Sequence, residues 1–177
     1  QIAALYLLFC RMALVRGLYT DEQARQFTST LLKCSDTMEA MIGRKDLIRE
    51  AVSHICDSPN AFFIGRGMDY AFSLEGALKL KEISYVHSEA YAAGELKHGT
   101  ISLIEPGTLV IGVLTQSGLY EKTVSNMVEC KSRGAYLMGL TTYGKYETED
   151  HADFTVYVPR VDEHFVASLA VVPLQLL

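Results

Sequence analysis

The sequence has no C-x-x-C pair, and none of its four cysteines (Cys10, Cys34, Cys56, Cys130) has a histidine at metal-ligand spacing. A metal site built on cysteine therefore has no pattern to rest on, and reduced, buried thiols of a cytoplasmic protein are expected. Basic charge is not in excess: Lys and Arg number 16 against 21 Asp and Glu, a formal net charge of −5. That balance leaves no electrostatic footprint for nucleic acid. The opening apolar run, 2–15, is interrupted by Arg11, and it falls short of the roughly 20 residues that cross a bilayer. It is no signal peptide either, because positive charge should precede the run, and here Arg16 follows it. Internal repeats, low-complexity tracts and an initiator Met are missing too. The chain starts and stops inside helical patterns, so it reads as a piece cut from a larger polypeptide.

What is present is the balance of a folded chain, with 49% apolar and 21% charged residues. The length of 177 residues suits one well-packed domain with a helical extension. Residues 2–52 carry a helical pattern: an apolar segment, a break at Gly17, a new start at Asp21, then Phe27, Leu31, Met38 and Ile42 at helical spacing. The turn cluster Asp57-Ser58-Pro59-Asn60 is the expected boundary, with a helical lead-in over 1–57 and a domain over 58–177. Beyond it, short runs at 61–64, 109–114, 135–140 and 154–158 read as strands. Helical patterns at 70–84, 93–98, 121–133 and from His164 onward separate them. Strands joined by helical crossovers predict a parallel sheet, hence a three-layer α/β/α sandwich.

Ligands of such folds bind beyond the carboxyl ends of the strands. The first strand runs into Gly65-Arg66-Gly67, which either cradles an anion at a helix start or merely permits a tight turn. Tyr70 stands where a dinucleotide fingerprint needs its third glycine. The second strand ends in Thr115-Gln116-Ser117-Gly118, equipped either for a sugar phosphate or for ordinary helix capping. A near match to a phosphate loop at 139–145 fails, since Gly139 falls within a strand and Tyr146 stands where Ser or Thr should hold magnesium.

Within LEGALKLKEISYVHSEAYAAGELKHG (74–99), Glu75, Lys79 and Glu82 share one helical face, while Lys81 lies on another. Such a row is either a solvated set of ion pairs or one wall of a site. His98, between a lysine and a glycine in a turn, has the character of an acid/base group. His87 lies in a more apolar setting and is expected to be structural; no partner set singles out His54, His151 or His164.

The 74–99 run, with GRGMDY before it and ISLIEPGTLVIGV after it, resembles the second sugar-isomerase (SIS) half of the glucosamine-6-phosphate synthase family. The resemblance implies a SIS fold and a part in making glucosamine 6-phosphate from fructose 6-phosphate and glutamine, with no metal and no cofactor. It assigns proton transfer between C1 and C2 to Glu82, support of that glutamate to Lys79, and ring opening to His98. In the family the histidine reaches the site from the partner subunit of a homodimer. Gly65, Gly67, Thr115 and Ser117 are candidates for substrate binding. The first SIS half, the glutaminase domain and the tail with the Schiff-base lysine lie outside these residues, so the piece alone is expected to be inert. A non-catalytic SIS-type sugar-phosphate sensor is the alternative; it would need the two loops but not the Glu82 and His98 arrangement.

Overall fold

The computed structural model describes residues 1–55 and 58–177, and the chain divides into two compact units, Gln1–Ala40 and Met41–Leu177. Cys56 and Asp57, and with them one side of the expected 57/58 boundary, lie outside the described residues. In the first unit, α1 (Ile2–Val15) ends where Gly17 takes a positive φ of 70°, which lets the Leu18 and Tyr19 N–H groups donate back to the Ala13 carbonyl. Thr20 and Gln23 then form a reciprocal capping box that starts α2 (Asp21–Ile42): Thr20 N–H donates to Gln23 Oε1 (2.8 Å) and Gln23 N–H to Thr20 Oγ1 (3.2 Å). Phe27 of α2 meets Phe9 of α1 at 5.8 Å and Tyr6 at 6.3 Å between ring centroids. Leu5, Leu8 and Met12 of α1 are exposed.

The second unit continues with α3 (Lys45–Ile55), β1 (Asn60–Gly65), α4 (Met68–Ser84), β2 (His87–Ala92), β3 (Leu109–Leu114), α5 (Tyr120–Lys131), β4 (Tyr136–Thr142), β5 (Phe154–Val158) and α6 (Glu163–Leu176). The sequence pattern ran helical through Gly43-Arg44, but the chain turns there and separates α2 from α3. A glycine inside a helix gives up about 1 kcal/mol relative to alanine, which favours a break at this point.

All five strands are parallel, in the order β2-β1-β3-β4-β5. The period of two sends Ala61 and Phe63 of β1 to one face and Phe62 and Ile64 to the other. The first face is covered by α4 and α6, through Phe72, Ala77, Ala170 and Leu174, and by Ile48 of α3. The second is covered by α5, through Val124, Met127 and Cys130, and by Ala93 and Leu96 of a 3₁₀ stretch after β2. The three-layer α/β/α architecture with a parallel sheet and N-terminal helices is the one expected. Gly76 brings α4 close to the sheet: a Cβ there would stand 2.8 Å from the Phe63 ring. Burying a side chain such as Phe63 stabilises the fold by about 1.5–3 kcal/mol. Among the described residues no helix is long and apolar enough to cross a membrane.

The order places a switch between β1 and β3. From β1 the chain crosses over the α4 face to β2; from β3 it crosses over the α5 face to β4. The loops leaving β1 and β3 therefore diverge at the carboxyl edge of the sheet, the position where open α/β folds place their ligands.

Candidate functional site

At that switch, Gly65 ends β1 and Gly67, with φ 57° and ψ −125°, leads into α4. Both turns need glycine. A Cβ on Gly65 would lie 2.5 Å from the Asp69 backbone, and one on Gly67 would lie 3.1 Å from the Gln116 side chain. Asp69, in the first turn of α4, is only 1% exposed. Its Oδ2 accepts the N–H of Thr115 (3.0 Å) and of Gln116 (3.2 Å), and its Oδ1 accepts the Thr115 hydroxyl. Gln116 Nε2 donates in return to the Arg66 carbonyl at 2.6 Å. Burial pushes the Asp69 carboxyl above its usual range, while the hydrogen bonds from Thr115 and Gln116 pull it back. Ser117, exposed, opens the 3₁₀ turn Ser117–Leu119 before α5.

The Arg66 side chain reaches across this edge. Its Nη2 donates to Asn126 Oδ1 of α5 (2.9 Å), and its guanidinium lies where a Cβ on Gly94 would approach to 3.1 Å. Asn126 contacts Glu129 (3.4 Å), and Glu129 pairs with Lys97 (2.6 Å). Together with buried Ala93 and Leu96, this network holds the 3₁₀ stretch Ala93–His98, whose last residue, His98, is exposed.

On α4, Lys79 Nζ lies 2.9 Å from Glu82 Oε2 and 3.9 Å from Glu75 Oε1, so the three residues do form one row. The hydrogen bond to Glu82, followed by its charge, raises the Lys79 ammonium above its ordinary value, and the Glu75 charge adds to this. All three side chains are about a third to a half exposed. Around them the outer face of α4 is apolar, with Leu74 at 49%, Leu78 at 44% and Ile83 at 71% exposure. Tyr85, 90% exposed and left-handed at φ 60°, ends the helix.

Glu82 and His98 are not brought together within the chain. The helix α4 begins at the carboxyl edge of the sheet and runs back, placing Glu82 roughly 20 Å along its axis at 1.5 Å per residue. His98 follows β2, which returns to the carboxyl edge: Ala92 pairs with Gly65. The two residues also belong to opposite faces, since α4 packs in one core cluster and Ala93–His98 in the other.

His87, expected in an apolar setting, is exposed, with Nε2 3.7 Å from Glu89, because β2 is an edge strand. Gly139 lies inside β4, and Lys145 Nζ stands 4.7 Å above the Tyr120 ring, an ordinary cation–π contact in a loop. A cavity of about 590 Å³ opens at the other edge of the sheet, lined by Asn60, His87, Glu105, Thr108 and Tyr136 among others. The residues that sequence reasoning missed are Asp69, Arg66, Gln116 and Asn126. An acidic residue in the first turn of a helix is too common to flag Asp69.

A family model described as SIS domain matches residues 54–177. The chain is 44% identical over 177 residues to the isomerizing glutamine–fructose-6-phosphate aminotransferase of Caldanaerobacter subterraneus subsp. tengcongensis, an alignment that takes in 100% of this chain and 29% of that protein. Among solved structures it is similar to the C-terminal domain of glucosamine-fructose-6-phosphate aminotransferase from Francisella tularensis, with a TM-score of 0.84, 30% identity, and coverage of 94% of this chain and 47% of that one. The sugar isomerase domain of an RpiR transcription factor from Sphaerobacter thermophilus shares the fold, with a TM-score of 0.68, 21% identity, and coverage of 84% of this chain and 86% of that one. The chain thus spans 29% of the length of the aminotransferases it matches.

Proposed function

The chain belongs to the SIS domain family, and from that premise we propose that it is the second SIS half of an isomerizing glutamine–fructose-6-phosphate aminotransferase. The reading is carried by the 44% identity that extends over the whole chain to an enzyme named for that reaction. Residues 58–177 serve as the SIS half, and residues 1–57 join it to the first. The parent works in the cytoplasm on fructose 6-phosphate, using ammonia released by its glutaminase domain, and yields glucosamine 6-phosphate. The three described cysteines are free and buried, and burial pushes the Cys130 thiol up to about 12, which leaves it a poor nucleophile and a packing residue.

The chemistry uses the residues as follows. His98 hands a proton to the ring oxygen and takes one from the anomeric hydroxyl, opening the sugar. Once ammonia has replaced the C2 oxygen, the Glu82 carboxylate removes a proton from C1 and returns it to C2. The C1 hydroxyl loses its own proton as the aldehyde forms. Lys79, 2.9 Å away, favours the ionised carboxylate that this step needs. A carboxylate on a helix seated against the sheet keeps its position through both transfers.

Because Glu82 and His98 lie at opposite edges of the sheet, a site that uses both draws them from two copies of the chain. The apolar outer face of α4 around the Glu82 row supports a second copy resting there. The test is subunit mixing in the complete enzyme. His98→Ala and Glu82→Gln subunits, each inactive alone, are expected to recover partial activity when mixed, since one of the two sites in a mixed dimer is intact. No recovery in verified mixed dimers would refute the shared site. The piece without its parent is expected to show no turnover, which an assay for glucosamine 6-phosphate checks directly.

A further inference from the structure

His98 is exposed and makes no hydrogen bond or ion pair with a described residue, so nothing holds its ring directly. Its aim is set by the backbone on either side. After it, Gly99 takes φ 147° and ψ −50°, a conformation that only glycine adopts without strain, in a place where a Cβ would meet nothing within 4 Å. Ser102 fixes the Gly99 carbonyl there, donating to it from N–H (2.9 Å) and from Oγ (2.7 Å). Before it, a Cβ on Gly94 would stand 3.1 Å from both terminal nitrogens of Arg66 and 3.3 Å from Cζ, so bare backbone rests against the head of the guanidinium.

Arg66 is poorly employed as a stabilising group. Its Nε is buried with no partner among the described residues, and an unmet buried donor costs stability. What the side chain offers is a stiff planar support that reaches from the end of β1 to the turn after β2. We propose that Arg66 is a positioning residue for ring opening, the support that sets where His98 stands, with Gly99 as the bend that aims it. Neither residue touches the sugar. The inference rests on the reading of His98 as the ring-opening group, and it makes both residues dispensable once the ring is open.

The test compares, in the complete enzyme, kcat/KM for fructose 6-phosphate with kcat/KM for 5-deoxyfructose 6-phosphate. The second ketose lacks the hydroxyl that closes the furanose and so stays open-chain. Arg66→Ala and Gly99→Ala are each expected to lose about 10²-fold on fructose 6-phosphate, the cost of a misplacement of about 1 Å, and less than about twofold on the open-chain ketose. Exchange between the two anomers of fructose 6-phosphate, followed by NMR without glutamine, reports ring opening by itself and should slow in both variants. Adding His98→Ala to either variant should cost nothing beyond His98→Ala alone, since both act through one group. Equal losses on the two ketoses, or anomer exchange at the unsubstituted rate, overturn the proposal. His98→Ala separates the two layers of the argument. If it loses equally on both ketoses, His98 does not open the ring and the positioning role falls with it. If it loses on fructose 6-phosphate alone while Arg66→Ala and Gly99→Ala do not, only the positioning role is wrong. Should Arg66→Ala fail to fold, Gly99→Ala, at an exposed site with open space around it, decides by the same comparison.

Discussion

The two ends of α4 behave as different materials. At its first turn Asp69 is buried, and its carboxylate is bonded to three donors from another loop; three turns further on, Lys79 and Glu82 stand half in water and bond chiefly to each other. A charge taken from water is tolerated only when its hydrogen bonds are complete, so the first end can contribute to stability and has little left for a ligand. An exposed ion pair contributes little to stability and leaves its groups within reach of a substrate. One helix therefore carries a closed hydrogen-bond cluster at one end and, at the other, the open row of groups to which the proposed function assigns the chemistry.

The contrast is sharpest in substitutions that should act on one end only. Glu82→Gln in the complete enzyme is expected to lower the isomerisation rate by roughly 10²–10⁴-fold, the range for loss of a positioned acid/base group. The melting temperature of the chain should scarcely change. A large loss of stability with modest loss of rate would break the distinction. Asp69→Ala should do the reverse, costing about 3 kcal/mol in denaturant unfolding, because three donors lose their acceptor in a buried place.

The acid at the first turn also has a pH signature. Its folded-state pKa is raised, mainly by burial, so its contribution to stability is fully present below the unfolded value and is lost as pH rises through the folded one. Stability attributable to Asp69 should thus decline as pH rises above the ordinary carboxylate value, and Asp69→Asn should flatten that slope. A slope of opposite sign would mean that the hydrogen bonds outweigh burial. The smallest effect belongs to a surface counterpart, Asp162, which caps α6 by accepting the His164 N–H at 3.0 Å and is held below the usual range by His164. Asp162→Ala should cost about 1 kcal/mol, as for an ordinary N-cap, measured by thermal unfolding.

Most of the architecture was legible from local composition. The run FTVYV between turn residues marks β5 at its observed limits, and AFFI marks all but the ends of β1. The edge strand β2, HSEAYA, was harder, because it has no β-branched residue and only one aromatic, and only one of its residues is fully buried. The Glu75, Lys79 and Glu82 row was legible from helical spacing alone, since neighbours at i+3 and i+4 depend on nothing but the helix. The Asp69 cluster was not, because it joins residues more than 40 positions apart through the pairing of β1 with β3. Its partners were visible as a polar loop, but the carboxylate that fills that loop comes from the other side of the switch.

The separation of Glu82 and His98 across the sheet carries a consequence for heredity. If each site borrows its histidine from the neighbouring subunit, two defective alleles, one altered at each position, together restore a working site. An allele altered at both positions instead spoils both sites of every mixed dimer it enters. With equal expression and random pairing the two arrangements leave the same share of sites intact, placed in half-active mixed dimers in the first case and in fully active unmixed dimers in the second.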